Sequence, residues 1–393
     1  MLNAITPLDG RYDLTELAPY VSEYALIKKR LEIEIKYLKS LIEYKIIAPV
    51  KYLDSILENF SMEEAIKIKE IEKITRHDVK AVELYLRQLV PNDVREFVHL
   101  GITSEDINNI AYRLILTDAV TKVIVPKLYE INDTFDLSNI PMLARTHGQP
   151  AAPTTWEHEM RVFKIRLYKE IVNLAHSVAS LTGKFNGSVG NFYALKFAYP
   201  DVDWDRLSRE LVLSFNLTPN LVTTQINPFE DIVILFQNLQ RINGILLDFV
   251  QDMWRYISDG WVKLKDVEFE VGSSTMPQKV NPIDFENAEG NLTLANGLAQ
   301  TMIDKLYISR LQRDLSNSTI MRNIGTLLGY CLVSYNSTIT GMSRTNPDAN
   351  TMQNALEKDW TIYAETLQVY LRKQGIENAY DIVKSMTRKV SEW

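Results

Sequence analysis

With 393 residues, 46% of them hydrophobic and 24% charged, the chain has the composition of a soluble globular protein long enough for a large core and more than one domain. A net charge of −7, from 43 basic against 50 acidic residues, excludes a general nucleic-acid surface while leaving a small anionic substrate open. The single cysteine, Cys331 in the apolar run LLGYCLV, excludes an internal disulfide, and no stretch approaches the ~20 apolar residues of a membrane span. The start, MLNAITPLDGRYD, has neither a basic flank nor an apolar core, so a cytoplasmic protein without a leader is expected.

A polar, turn-rich lead containing Arg11 and Tyr12 precedes a helical pattern from about Ser22 to Tyr44, with Leu26, Leu31, Ile35, Leu38 and Leu41 as its buried stripe. A second helix is expected from about Met62 to Val90. Within it Arg76, His77 and Asp78 interrupt an otherwise regular face, and a backbone-satisfied, partly buried histidine is as good a reading of His77 as a functional one. Pro91 ends the helix, and a first domain boundary is placed near residue 100.

The run HLGITSEDINN, His99 to Asn109, offers Thr103 or Ser104 as a helix cap, with Asp106 completing a capping box. The same hydroxyls and free amides form a ready carboxylate site. Met142 to Thr155, MLARTHGQPAAPTT, reads as a Gly/Pro-rich loop presenting Thr146, His147 and Gln149 before another long helix. A polar span including GKFNGSVGN and then Thr223, Thr224 and Gln225 follows.

From Glu230 to Val262 the apolar residues Ile232, Leu235, Leu239, Ile242, Leu246, Phe249 and Met253 recur three and four apart, a coiled-coil spacing. A helix of ~30 residues spans ~45 Å and should be the axis of a bundle. Further long helices are expected from about Pro282 to Leu306 and from about Asn317 to Thr340. Strand patterns are scarce. The reading is therefore an all-α protein whose middle part is a bundle of very long helices with apolar surface for subunit packing.

Between these helices, Gly272 to Asn291 reads GSSTMPQKVNPIDFENAEGN, a flexible loop limited by Pro277 and Pro282 and feeding a helix that carries Glu286. Closing over a ligand, it would present hydroxyls, the Lys279 ammonium and the Asn281 amide to a developing carboxylate dianion. The string GSS-x-MP-x-K-x-NP resembles the signature of the fumarase and aspartase superfamily, whose members release fumarate. Farther on, SRLQRDLSNSTIMRN carries Arg310, Arg313, Ser318 and Arg322, a set suited to bidentate phosphate recognition or equally to a solvated turn.

Together with ARTHGQPA and RHDVKAVE, this last segment makes the chain similar to the adenylosuccinate lyase family from its first residues to about Arg388. The resemblance implies a fumarase/aspartase-like chain of three domains, 1–100, 101–342 with a catalytic lid at 271–282, and a short 343–393, the central bundle forming the core of a homotetramer. It implies Ser273 as the base removing the succinyl Cβ proton, His147 as the acid protonating the departing nitrogen, Glu286 as the carboxylate partner of His147, and His77 as a second active-site histidine. Lys279 and Asn281, with Thr103 and Ser104, would hold the succinyl carboxylates. Thr146 and Gln225 would line the site, and Arg11, Tyr12, Arg313, Ser318 and Arg322 would surround the nucleotide phosphate. Arg76, Asp78, Ser274 and Met276 complete the implied substrate-binding set.

The substrate so implied is a succinyl-purine nucleotide, with sites shared between subunits, no cofactor, and neither nucleic acid nor membrane as partner. The five histidines show no ligand spacing, so no metal site is expected. Against the family pattern stand Gln278, as in argininosuccinate lyases; Ile102, in place of a smaller residue; and an end at Trp393, which leaves open a truncated chain or a reduced third domain. Argininosuccinate lyase or another fumarate-releasing member of the superfamily, and a non-catalytic lyase-derived helical scaffold, as some lens crystallins are, remain the alternatives.

Overall fold

The computed structural model of the chain describes residues 3–265, 275–276 and 278–388. Its described elements are helices plus three two-stranded ribbons, in keeping with the all-α expectation. Helix α1 (Glu23–Glu43) starts where Ser22 accepts a hydrogen bond from the Ala25 amide. Its stripe of Leu26, Leu31, Ile35, Leu38 and Leu41 is buried, and Arg30 is buried with it.

The helix expected over Met62 to Val90 is two helices, α2 (Met62–Thr75) and α3 (Asp78–Leu89). Arg76 adopts the left-handed conformation (φ 53°) and closes α2, its amide donating to the Glu72 carbonyl at 2.7 Å. His77 is then extended and caps α3, its Nδ1 accepting from the Lys80 amide at 3.2 Å. A side-chain cap thus replaces the helical bonds that the turn at Arg76 breaks. Helix α4 (Ser104–Ala119) begins at Thr103 as expected, with Asp106 Oδ2 accepting from the Thr103 amide at 2.8 Å.

The segment expected to be a loop at Met142 to Thr155 is instead an antiparallel hairpin, β1 (Pro141–Thr146) and β2 (Gln149–Thr155). Its two turn residues, His147 (φ 52°) and Gly148 (φ 73°), both take the left-handed conformation that matches the twist of paired strands. The strands hold Pro150 and Pro153, which hide the alternation that marks a strand in sequence. Helix α5 (Trp156–Ala179) follows, and β3 (Thr182–Gly183) pairs in parallel with β4 (Thr218–Pro219).

Helix α6 (Glu230–Ser258) buries all seven residues of its predicted stripe. It stops short of Val262, which instead opens β5 (Val262–Leu264), paired with β6 (Thr345–Pro347). Helix α7 (Ile283–Leu306) follows Pro282. The helix expected over 317–340 is divided into α8 (Ser316–Met321) and α9 (Ile324–Ser343), where the Asn323 amide bonds the Ile320 carbonyl in a tighter turn.

The chain forms two compact units. One comprises Met1–Leu128, Glu170–Gly244 and Asn291–Val333; the other comprises Tyr129–Lys169, Ile245–Gly290 and Ser334–Trp393. In the first, Cys331 is buried, as the apolar run around it predicts. In the second, the Phe249 ring meets those of Phe135, Phe163 and Phe285 with centroids 5.0, 5.4 and 6.2 Å away, all edge-on. Among the described residues no helix is long and apolar enough to cross a membrane.

Candidate active site

In the first unit, the sequence-predicted residues gather around the N-termini of α3 and α4. Because His77 Nδ1 accepts the Lys80 amide, the ring proton falls on Nε2, which faces Ser104 Oγ at 3.4 Å. Beside it, Asp78 Oδ2 lies 2.7 Å from Arg30 Nη2 and 3.8 Å from Arg322 Nη2. Arg30 itself is buried and also donates from Nε to Asn108 Oδ1 at 2.9 Å. Burial pushes the Asp78 carboxyl up, but Arg30 above all, then the Val79 amide and Arg322, hold it below the ordinary value.

Arg313 closes the group from the far side. Its Nη1 faces Gln225 Oε1 at 3.4 Å, while its Nη2 faces Ser318 Oγ at 3.4 Å and Glu105 Oε2 at 3.7 Å. Gln225 is fixed in turn, its amide donating to Gln312 Oε1 at 3.0 Å and its side chain to the Ser188 carbonyl at 2.8 Å. The result is a ring of contacts running from His77 through Ser104 and Glu105 to Arg313 and Ser318, and from Arg322 back to Asp78. Two helix N-termini, two arginines and several hydroxyls on one ring suit a phosphate or carboxylate. Tyr12 belongs to the same unit, its hydroxyl 3.4 Å from Asn291 Nδ2, and Arg11 closes the first helical turn through its amide to the Pro7 carbonyl.

Beneath the N-terminus of α4, Asp106 organises the backbone. Its carboxylate accepts from Lys184 Nζ at 2.7 Å, from the Asn186 amide at 2.9 Å and from the Gly187 amide at 3.1 Å, in addition to the Thr103 amide. Both Asp106 and Lys184 are fully buried. The loop so fixed turns through Gly190 (φ 75°), where a Cβ would stand 2.0 Å from the Thr223 carbonyl oxygen. That close approach carries Ser188 to Gln225 and hence to Arg313.

The second unit holds Thr146, His147, Met276, Lys279, Asn281 and Glu286. His147 sits at the tip of the β1–β2 hairpin, steadied by Arg145, whose Nη1 donates to the Gly148 carbonyl at 3.2 Å. Thr146 pairs with Gln149 across the turn. Glu286, in the first turn of α7, accepts from Trp254 Nε1 at 3.1 Å, and among the described residues no hydrogen bond or ion pair joins it to His147. The Lys279 amide donates to the Met276 carbonyl at 3.1 Å. Ser273 and Ser274 lie outside the described residues.

Sequence reasoning missed Arg30, Glu105 and Lys184. Arg30 stands four residues after Leu26 on a buried stripe, a position where a cation signals a buried partner. Glu105, next to Asp106 in a first turn, carried only the general preference of helix starts for acids. Lys184 had no local signal.

Comparison with known proteins accounts for nearly the whole chain. A family model described as lyase matches residues 22–297, and one described as adenylosuccinate lyase C-terminal matches residues 309–392. The adenylosuccinate lyase of Buchnera aphidicola subsp. Acyrthosiphon pisum is 43% identical over 410 residues, covering 98% of this chain and 89% of that protein. That of Escherichia coli K12 is 42% identical over 407 residues, with the same 98% and 89% covered. Among solved structures, a fumarate lyase from Mesorhizobium sp. BNC1 superposes with a TM-score of 0.81 at 18% identity, covering 96% of this chain and 86% of its own. The 3-carboxy-cis,cis-muconate lactonizing enzyme from Pseudomonas putida does so with a TM-score of 0.80 at 19% identity, covering 98% and 87%. At such identities the two structures speak for the fold alone, whereas the family models and the curated relatives establish that the chain belongs to the adenylosuccinate lyase family.

Proposed function

We propose that the chain eliminates fumarate from adenylosuccinate, giving AMP, and from succinylaminoimidazole carboxamide ribotide, giving the aminoimidazole carboxamide ribotide. Family membership carries the reaction class, a carbon–nitrogen lyase. The observation that supports the nucleotide substrate is the ring of Arg313, Ser318 and Arg322 against the N-termini of α3 and α4.

In this reading Ser273, on a lid spanning residues 271–282, removes the succinyl Cβ proton. The electron pair forms the double bond of fumarate as the C–N bond breaks, and His147 gives its proton to the departing nitrogen. A Cβ proton is weakly acidic, so the adjacent carboxylate must be stabilised as a dianion. Lys279, Asn281, Thr103 and Ser104 serve that purpose. A free serine is a poor base, and each unit by which positive charge lowers its pKa is worth ~1.4 kcal/mol. Glu286 is read as the carboxylate partner of His147. His77, donating from Nε2 toward Ser104, orients the hydroxyl that meets a carboxylate. Arg11, Tyr12, Arg76, Asp78, Thr146, Gln225, Ser274 and Met276 complete the pocket.

The same reading makes the working enzyme a cytoplasmic homotetramer in which subunits share sites, with the chain divided near residues 100 and 342. The test is fumarate release from adenylosuccinate, with argininosuccinate and malate in parallel. Release from adenylosuccinate, reduced by several orders of magnitude in Ser273→Ala and in His147→Gln with binding retained, is the expected outcome. Near-normal turnover in Ser273→Ala sinks the base assignment, and release only from another substrate moves the chain to that activity.

A further inference from the structure

We propose that Glu105 is a positioning residue for Arg313, and that it takes up a proton when the substrate's phosphate arrives; the inference rests on the reading of Arg313 and Ser318 as phosphate ligands. The geometry is specific. Glu105 is the second residue of α4, its carboxylate almost fully buried, and its only ion pair among the described residues is with Arg313 at 3.7 Å. Arg313 is itself three-quarters buried, and its other neighbours, Gln225 Oε1 and Ser318 Oγ, stand at 3.4 Å. None of the three contacts is short, so the guanidinium is aimed without its donors being saturated.

A buried carboxylate behind an arginine aims it, but it also opposes any anion the arginine is meant to hold. Protonation of Glu105 removes that opposition while leaving a hydrogen-bonding group in place. The charged groups around it set how readily this happens: burial raises the carboxyl to about 7, against the pull of Arg313 first, then Lys184 and Arg113, with Asp106 on the same helix adding to the rise. A phosphate dianion brought against Arg313 cancels the largest of the lowering influences and adds a like charge, so the carboxyl binds its proton more tightly in the complex. By linkage, proton uptake then accompanies phosphate binding above neutral pH.

The experiment is calorimetric titration of AMP into the full-length protein at pH 8, in buffers of different ionisation enthalpy. At this pH the phosphate, with a second pKa of about 6, is already dianionic and contributes no proton of its own. The expected result is a net uptake of part of a proton by the wild type, no uptake by Glu105→Gln, and none by the wild type when adenosine replaces AMP. Steady-state kinetics supply the positioning readout: Glu105→Ala raises KM for adenylosuccinate about tenfold, a loss falling on KM rather than kcat, and Glu105→Gln restores most of it. Equal uptake in wild type and Glu105→Gln, no uptake in either, no AMP binding, or an unchanged KM in Glu105→Ala overturns the proposal. Failure of the underlying reading shows separately, as absence of fumarate release from adenylosuccinate by the wild type.

Discussion

Replacing Asp106 with alanine removes a carboxylate that is fully buried and holds four groups at once. The Lys184 ammonium, also fully buried, would keep only its bond to the Gly187 carbonyl at 2.7 Å. The amides of Thr103, Asn186 and Gly187 would lose an acceptor each. Stripping the partner from a buried charge costs ~3–5 kcal/mol, and each orphaned buried amide a further ~1 kcal/mol or more. Against a total stability of ~5–15 kcal/mol, Asp106→Ala is expected to lose ~5 kcal/mol or more. Because the chain has two compact units, one global transition is not assumed, and the loss is best read by hydrogen exchange at the Asn186 and Gly187 amides alongside a thermal scan. Lys184→Met in an Asp106→Leu background removes both charges together and should recover ~2 kcal/mol or more relative to the sum of the single changes. Stability of Asp106→Ala within ~1 kcal/mol of wild type, or strict additivity in the double variant, would refute this account of the α4 N-terminus.

Two further outcomes follow from neighbouring contacts. Gly190→Ala places a Cβ 2.0 Å from the Thr223 carbonyl oxygen on a backbone of φ 75°. It should raise KM for a nucleotide substrate by displacing Ser188 and Gln225, and a crystal structure of the variant with both contacts unchanged would count against it. The buried pair of His99 and Glu34, with Nδ1 and Oε1 2.5 Å apart, gives a pH signature. Burial lowers the His99 value, but the charge and hydrogen bond of Glu34 outweigh it and leave the imidazole above 6.5. A histidine raised in this way stabilises the fold fully below its unfolded value and loses that contribution as pH climbs through its folded value. Glu34→Gln should therefore cost ~2 kcal/mol at pH 6 and clearly less at pH 9; a pH-independent loss in paired denaturation curves would contradict it.

Part of the candidate site was legible because its signals are local. Thr103 and Asp106 stand three apart, so their contact is a property of one helical turn. The stripe from Ile232 to Met253 has a helical period and nothing else, and every member of it is buried. The turn at Arg76 and His77 was visible only as an interruption. Its backbone geometry depends on a left-handed residue that an arginine adopts at a cost, and no sequence rule marks it. The hairpin at Pro141 to Thr155 was hidden by its prolines, although His147 and Gly148 together carry the turn chemistry that reveals it in retrospect.

The sequence by itself determined the periodic stripes of the long helices and the buried thiol of Cys331, since periodicity and local capping are written within a few residues. Only the tertiary structure decided that Lys184 meets Asp106, that Arg313 meets Glu105 and Gln225, and that Arg322 meets Asp78. These partners lie from 78 to 244 positions apart, and for the fully buried pair of Lys184 and Asp106 the force that joins them is the cost of burying a charge without an opposite one. That cost acts only after the apolar stripes have packed and excluded water, so no local pattern could have named the pairs.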